Sequence, residues 1–205
     1  MITKIRDFFW PVLERPTTCE VMESRRSESD DINSIQNTGW AAASKLALEE
    51  ARLLASEEDE RRKTAESKAS NLLVVTAALI PLLTYLETAI LDSKLANVPT
   101  WVTLPLLAIA VAYLGNAGWW AFKTVDVGAY HRVYPLDLVK IWREGKPIQK
   151  KLIIETFIAI RRNQETVNWK VSASKMTHAF LLRAVMAFSL LLMVRISFGL
   201  WGILK

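Results

Sequence analysis

Four polar side chains interrupt otherwise apolar stretches of this chain: Glu87, Asn116, Arg183 and Arg195. Ionisable groups in such surroundings are costly, and they face a partner, a bundle interior or water. At 1.5 Å per helical residue, Glu87 lies about 24 Å along the stretch that starts at Asn71, and Arg195 about 24 Å along the one that starts at Ala179, so the two stand level. Asn116, about 10 Å from the end of its own stretch, stands near the depth of Arg183, about 6 Å into the last one. In one reading these groups line an aqueous path through an oligomer, with Asn116 at a narrow ring among the small residues Ala112, Gly115, Ala117 and Gly118. In the other, Glu87 pairs with Arg195, Arg183 snorkels to the near interface, and Asn116 makes an interhelical hydrogen bond that fixes packing. The sequence leaves both standing. Three spans are too few to enclose a pore within one chain, so the first reading requires a homo-oligomer.

Residues with other chemistry are sparse. The lone thiol, Cys19, can form no internal disulfide, and His131 and His178 have no cluster of further metal-binding residues near them. No glycine-rich phosphate loop and no nucleophile elbow is present. Neither an enzymatic activity nor a cofactor is therefore expected. The net charge of +5 divides unevenly: residues 1–70 carry 11 Lys/Arg against 14 Asp/Glu, and residues 123–178 carry 11 against 5. Only the second block is basic, which argues against a duplex nucleic-acid partner. Within it Lys140, Arg143, Lys146, Lys150, Lys151, Arg161 and Arg162 could form a pocket for a phosphorylated or nucleotide ligand, with Trp142 and Trp169 to stack on a base. Their plainer role is to hold the segment on one side of a membrane and touch anionic lipid, at about 1 kcal/mol per residue.

The elements that must position these residues follow from how the apolar residues are distributed. They make up 51% of the chain and gather into long blocks, while glycine and proline are scarce at seven each, which predicts an all-α chain. A membrane helix needs about 20 apolar residues, and residues 71–91, 98–122 and 179–204 qualify. Trp119, Trp120, Phe122 and Lys123 close the second in the manner of an interfacial belt. The loop at 92–100 holds one basic residue, Lys94, whereas the segments before the first span and between the second and third hold 11 each. Lys and Arg are retained on the cytoplasmic side, so the N-terminus is expected inside and the C-terminus outside. The N-terminus lacks the apolar core and cleavage site of a signal peptide and is expected to stay on the mature protein.

The chain divides accordingly into residues 1–16, 17–39, 40–70, 71–122, 123–178 and 179–204. The first is an amphipathic helix, with Ile2, Ile5, Phe9, Val12 and Leu13 at helical spacing and Phe8, Phe9 and Trp10 as a candidate gate or membrane-surface element. The polar run at 17–39 reads as a flexible tether. Residues 40–69 are strong helix formers, so one long helix should run from the cytoplasm into the first span. Its 56–68 part shows almost no apolar face, with Glu57–Arg61, Glu58–Arg62 and Asp59–Lys63 at i,i+4 spacing and Ser56 as a local cap or break. Residues 123–134 are ambiguous, and 135–144 predicts a short helix stopped by Gly145 and Pro147. Thereafter Ile153, Phe157, Ile160, Gln164, Val167 and Val171 form a heptad-like seam on a helix that could run unbroken into the third span.

This layout over residues 40–205, with Arg161-Arg162-Asn163-Gln164 and Asn168-Trp169-Lys170 ahead of the last span, resembles the SLATT-type and related small bacterial transmembrane effectors of anti-phage systems. The resemblance implies a pore-forming effector that answers a nucleotide or oligonucleotide signal made by a partner enzyme and depolarises the cell. The alternative from the residues themselves is a non-conducting membrane anchor that recruits a cytoplasmic partner through its helical seam. Membrane lipid is a partner in both.

Overall fold

The computed structural model describes residues 11, 13, 17–40, 44–91, 99–126, 128–145 and 147–203, with side-chain surroundings left out at 86–91, 100 and 199–203. Among these residues the chain is all helix and irregular connection: α1 (Thr18–Asn37), α2 (Ser44–Leu91), α3 (Thr100–Val125), α4 (Pro135–Arg143) and α5 (Ile148–Ile203). Three of them, α2, α3 and α5, are long and apolar enough to cross a membrane.

The helices begin and end where local chemistry dictates. Thr17 accepts a hydrogen bond from the Glu20 amide, and the Glu20 carboxylate answers by accepting from the Thr17 amide at 2.6 Å. This reciprocal cap satisfies two otherwise orphaned donors. It makes α1 a 20-residue helix where the composition of 17–39 had suggested a flexible tether. α2 passes Ser56 without a break, and Pro81 too lies inside it. α4 opens with Pro135 in its first turn, where the missing N–H is no loss, and Gly145 follows it at φ 61, a conformation that favours glycine.

The described residues group into two compact units. The first draws on Glu66–Asp126, Ser172–Lys205 and the N-terminal element; the second on Glu14–Ala65 and Val127–Val171. The first unit is organised around Leu83, Tyr113, Leu114, Ala117, Met176, Phe180 and Ala184, with Leu13 packed against that cluster. Gly118 on α3 faces Thr76 on α2, where a Cβ would make an ordinary contact with the Thr76 methyl at 3.7 Å. Outside this cluster the unit turns large apolar side chains outward, among them Val74, Ile80, Trp101, Leu104, Leu182 and Met193. Its polar side chains turn to their own helices: Thr76, Thr84, Asn116, Thr124, Thr177, Arg183 and Ser197 each donate to the carbonyl four residues earlier. An apolar exterior with hydrogen bonds closed within each helix is the arrangement a hydrocarbon surrounding requires.

In the second unit α2 and α5 run parallel. Ser44 bonds Gln149 at 2.8 Å and Arg61 bonds Asn168 at 3.2 Å, so numbers rise together along both helices. The buried positions of these two helices in this unit are Ala51, Glu58 and Ala65 on α2, seven residues apart, and Ile153, Ile158, Asn163, Val167 and Lys170 on α5. A repeat of seven keeps one helix face against a neighbour over many turns. Of the seam expected from apolar spacing, Ile153 and Val167 are fully buried and Phe157, Ile160 and Val171 half-buried, while Gln164 is exposed and its neighbour Asn163 lies inside. The 56–68 part of α2 is not wholly solvated either: Glu58 and Ala65 are buried, and Arg61 reaches Asn168 on α5.

Candidate functional site

The densest polar chemistry lies in the second unit, where residues 128–134 run as a non-helical strap against α2 and α5. Asn163 on α5 holds the strap by its backbone. Its Oδ1 accepts from the His131 amide at 2.8 Å and its Nδ2 donates to the His131 carbonyl at 2.7 Å. With both halves of its amide used, Asn163 sits only 3% exposed. An extended peptide offers its N–H and C=O side by side, and a carboxamide is the side chain that matches both at once.

With the strap anchored, Tyr130 and Arg132 project toward α2. Arg132 Nη2 donates to Asp59 Oδ1 at 2.6 Å, and the same carboxylate receives Arg62 at 2.9 Å and Lys63 at 2.7 Å. The guanidinium carbons of Arg62 and Arg132 lie 4.7 and 5.3 Å from the centroid of the Tyr130 ring, within cation–π range. The Lys63 ammonium, with Arg62 and Arg132, holds the Asp59 carboxyl at about 2, below its usual 3.8 and against the effect of its partial burial. Burial and the nearby Asp59 charge raise the Tyr130 phenol above its ordinary value.

Two recesses flank the strap. One, of about 340 Å³, is walled by Ser56, Asp59, Tyr130, Arg132, Thr156 and Asn163 among others. The other, about 190 Å³, is walled by His131, Arg132, Asp137, Glu155 and Arg162 with three apolar residues. Both place an arginine beside carboxylates, so an anion entering either must compete with Asp59, Asp137 or Glu155 for it. Among the described residues no group of three His, Cys, Asp or Glu side chains is placed to hold a metal ion.

The basic residues singled out from sequence do not converge. Arg161 Nε donates to Asp31 Oδ2 at 2.7 Å, tying α5 to α1. Lys140 lies 3.9 Å from Asp137 on its own helix and is largely exposed. Arg143 is exposed and Lys150 half-buried. Arg162 borders the smaller recess. Lys151 pairs with Glu144 at 2.5 Å, and Lys146 lies outside the described residues. Sequence spacing did not find Arg62, Tyr130, Arg132 and Asn163 as one site; of the i,i+4 pairs it marked on α2, Asp59–Lys63 forms, whereas Arg61 and Arg62 pair three residues back, with Glu58 and Asp59.

Among the intramembrane candidates, Arg195 is 7% exposed within the first unit. Arg183 is half-buried, and its Nη1 reaches back to the Ala179 carbonyl at 2.7 Å. Asn116 is half-buried and donates to the Ala112 carbonyl at 2.8 Å, while Gly115 beside it faces open space. The side chain of Glu87, and all of Phe8, Phe9 and Trp10, lie outside the described residues. Comparison with models of protein families, with curated proteins and with solved structures returns no match to this chain.

Proposed function

We propose that this chain is an integral membrane protein with three spans that assembles into a homo-oligomeric, ligand-gated pore, its polar unit lying on the cytoplasmic side of a bacterial inner membrane. The observation that carries this reading is that α2 and α5 each run without interruption from the polar unit into the apolar one. A helix is stiff along its axis, so a ligand that rearranges the Asp59, Arg62 and Arg132 ion pairs would move the same two helices that continue as spans. The ligand class that fits an arginine pair beside an aromatic ring is a nucleotide or oligonucleotide, the signal that the resemblance to anti-phage effectors also implies.

Asn116 gives the test. It hydrogen-bonds only its own helix among the described residues and borders the open Gly115 face, so it would lie at the contact between copies or on the water path. Purified oligomers in planar bilayers should conduct on addition of a cyclic or linear oligonucleotide, and Asn116→Leu should cut that conductance without reducing the inserted amount. Bilayers that stay silent under mono-, di- and oligonucleotides alike would sink the proposal.

A second reading draws support from Arg183 and Arg195, both accommodated within one chain, as an anchor without a pore would have them. Such an anchor would not recruit its partner through the α5 seam, where Val167 is already fully buried. It would use the exposed face of α4 formed by Leu136, Val139 and Trp142.

A further inference from the structure

The first unit carries an apolar groove of about 640 Å³ between α3 and α5, lined by Leu106, Ile109, Leu182, Met186 and Met193, with Arg183 among its lining residues. We infer that this groove binds one acyl chain of an anionic phospholipid, with the headgroup phosphate held by Arg183, Lys175 and His178. The inference rests on the proposed membrane reading and adds a ligand to it.

Length, polarity and charge all point to this occupant. From Arg183 to Met193 the groove follows α5 for about 15 Å, half of a ~30 Å hydrocarbon layer and so the depth of one leaflet. Its volume lies in the ~300–1,000 Å³ range of pockets that enclose small ligands. The Arg183 bond to the Ala179 carbonyl, at 2.7 Å, turns the guanidinium back along the helix toward Lys175 and His178. Those two side chains are exposed one turn apart, and Leu182 and Met186 continue the same face of α5 into the groove. Neither 100–125 nor 172–205 contains a single Asp or Glu, so among the described residues the carboxylates of this unit lie on α2 and at Asp126, the residue that caps α3. A phosphate at this end meets the cations of α5, and the acyl chain below it meets apolar walls broken by the Ser189 hydroxyl and the Tyr113 side chain. A zwitterionic lipid could enter the groove but would gain less from the cations, since its own ammonium opposes them.

The test uses the full chain, extracted from membranes, supplied with phosphatidylglycerol or phosphatidylcholine and examined by native mass spectrometry. Phosphatidylglycerol should be retained at least about tenfold more than phosphatidylcholine, from the attraction of two or more cations. The double variant Lys175→Gln/Arg183→Gln should abolish the preference. Ser189→Trp, which fills the groove and leaves every charge in place, should abolish retention, with circular dichroism confirming that helix content is kept. Equal retention of the two lipids, or undiminished retention by both variants, would overturn the inference. So would disulfide dimers through Met186→Cys in a Cys19→Ser background, since they would show a second copy seated in the groove. Alkaline carbonate extraction separates this failure from that of the membrane reading: a protein released by carbonate refutes both, and one that resists it without lipid preference refutes only the groove.

Discussion

Asp59 and Asn163 show how much of a site can rest on single polar groups. Asn163 holds a strap that has no helical hydrogen bonds of its own at His131, and Asp59 draws three cations from two segments of the chain. Because the Asp59 carboxyl titrates at about 2 in the folded protein instead of 3.8, its contribution is complete above about pH 4 and lost as the pH falls through 2. Pepsin cleavage within 128–134 should therefore rise between pH 4 and pH 2, while Asp59→Asn should already be cleaved to the same extent at pH 4. Equal cleavage of the two proteins at pH 4 would show that the carboxylate does not secure the strap. The i,i+4 spacing made the Asp59–Lys63 pair legible in sequence, since both residues sit on one helix. Arg132, 73 residues away, was not legible, because no local pattern records which loop lies over which helix.

At the scale of the element, α1 shows local chemistry overriding composition. Residues 17–39 are polar enough to suggest a tether, yet Thr17 and Glu20 stand at the spacing of a reciprocal cap and start a helix of 20 residues. No residue of α1 is buried, so the cap matters more than packing for its first turn. Thr17→Ala should cost that turn about 1 kcal/mol. Amide exchange at 18–22 should speed up about fivefold, with the exchange of α2 and α5 unchanged; protection kept at wild-type level would assign the stability of α1 to contacts elsewhere, such as Asp31–Arg161. The α5 seam makes the converse point. Its apolar members Ile153 and Val167 were visible by period, but Asn163 and Lys170 are buried as well, and only packing against neighbours reveals that they face inward.

For the whole molecule, the count of spans is a claim about which side of a membrane each segment meets. Cys19 is exposed, so it serves as a native probe. In intact cells a membrane-impermeant maleimide should leave Cys19 unlabelled until the membrane is broken, whereas Ser93→Cys in a Cys19→Ser protein should be labelled at once. Labelling of Cys19 in intact cells would reverse the topology. Sequence alone determined the three apolar helices and their approximate limits, because runs of about 20 apolar residues and their flanking charges are local properties that any environment must respect. It also marked the short helix α4 behind Pro135, but left open whether α5 runs unbroken into the third span, as it does. Only tertiary structure decided that Arg183 turns back to Ala179, that Arg195 lies inside its own unit, and that Asp59, Arg62, Tyr130 and Arg132 form one site while Lys140, Arg143 and Arg161 do not join it. The physical reason is that a charge or amide can meet its need through its own helix, a neighbour, lipid or water, and which of these is nearest depends on how distant segments pack.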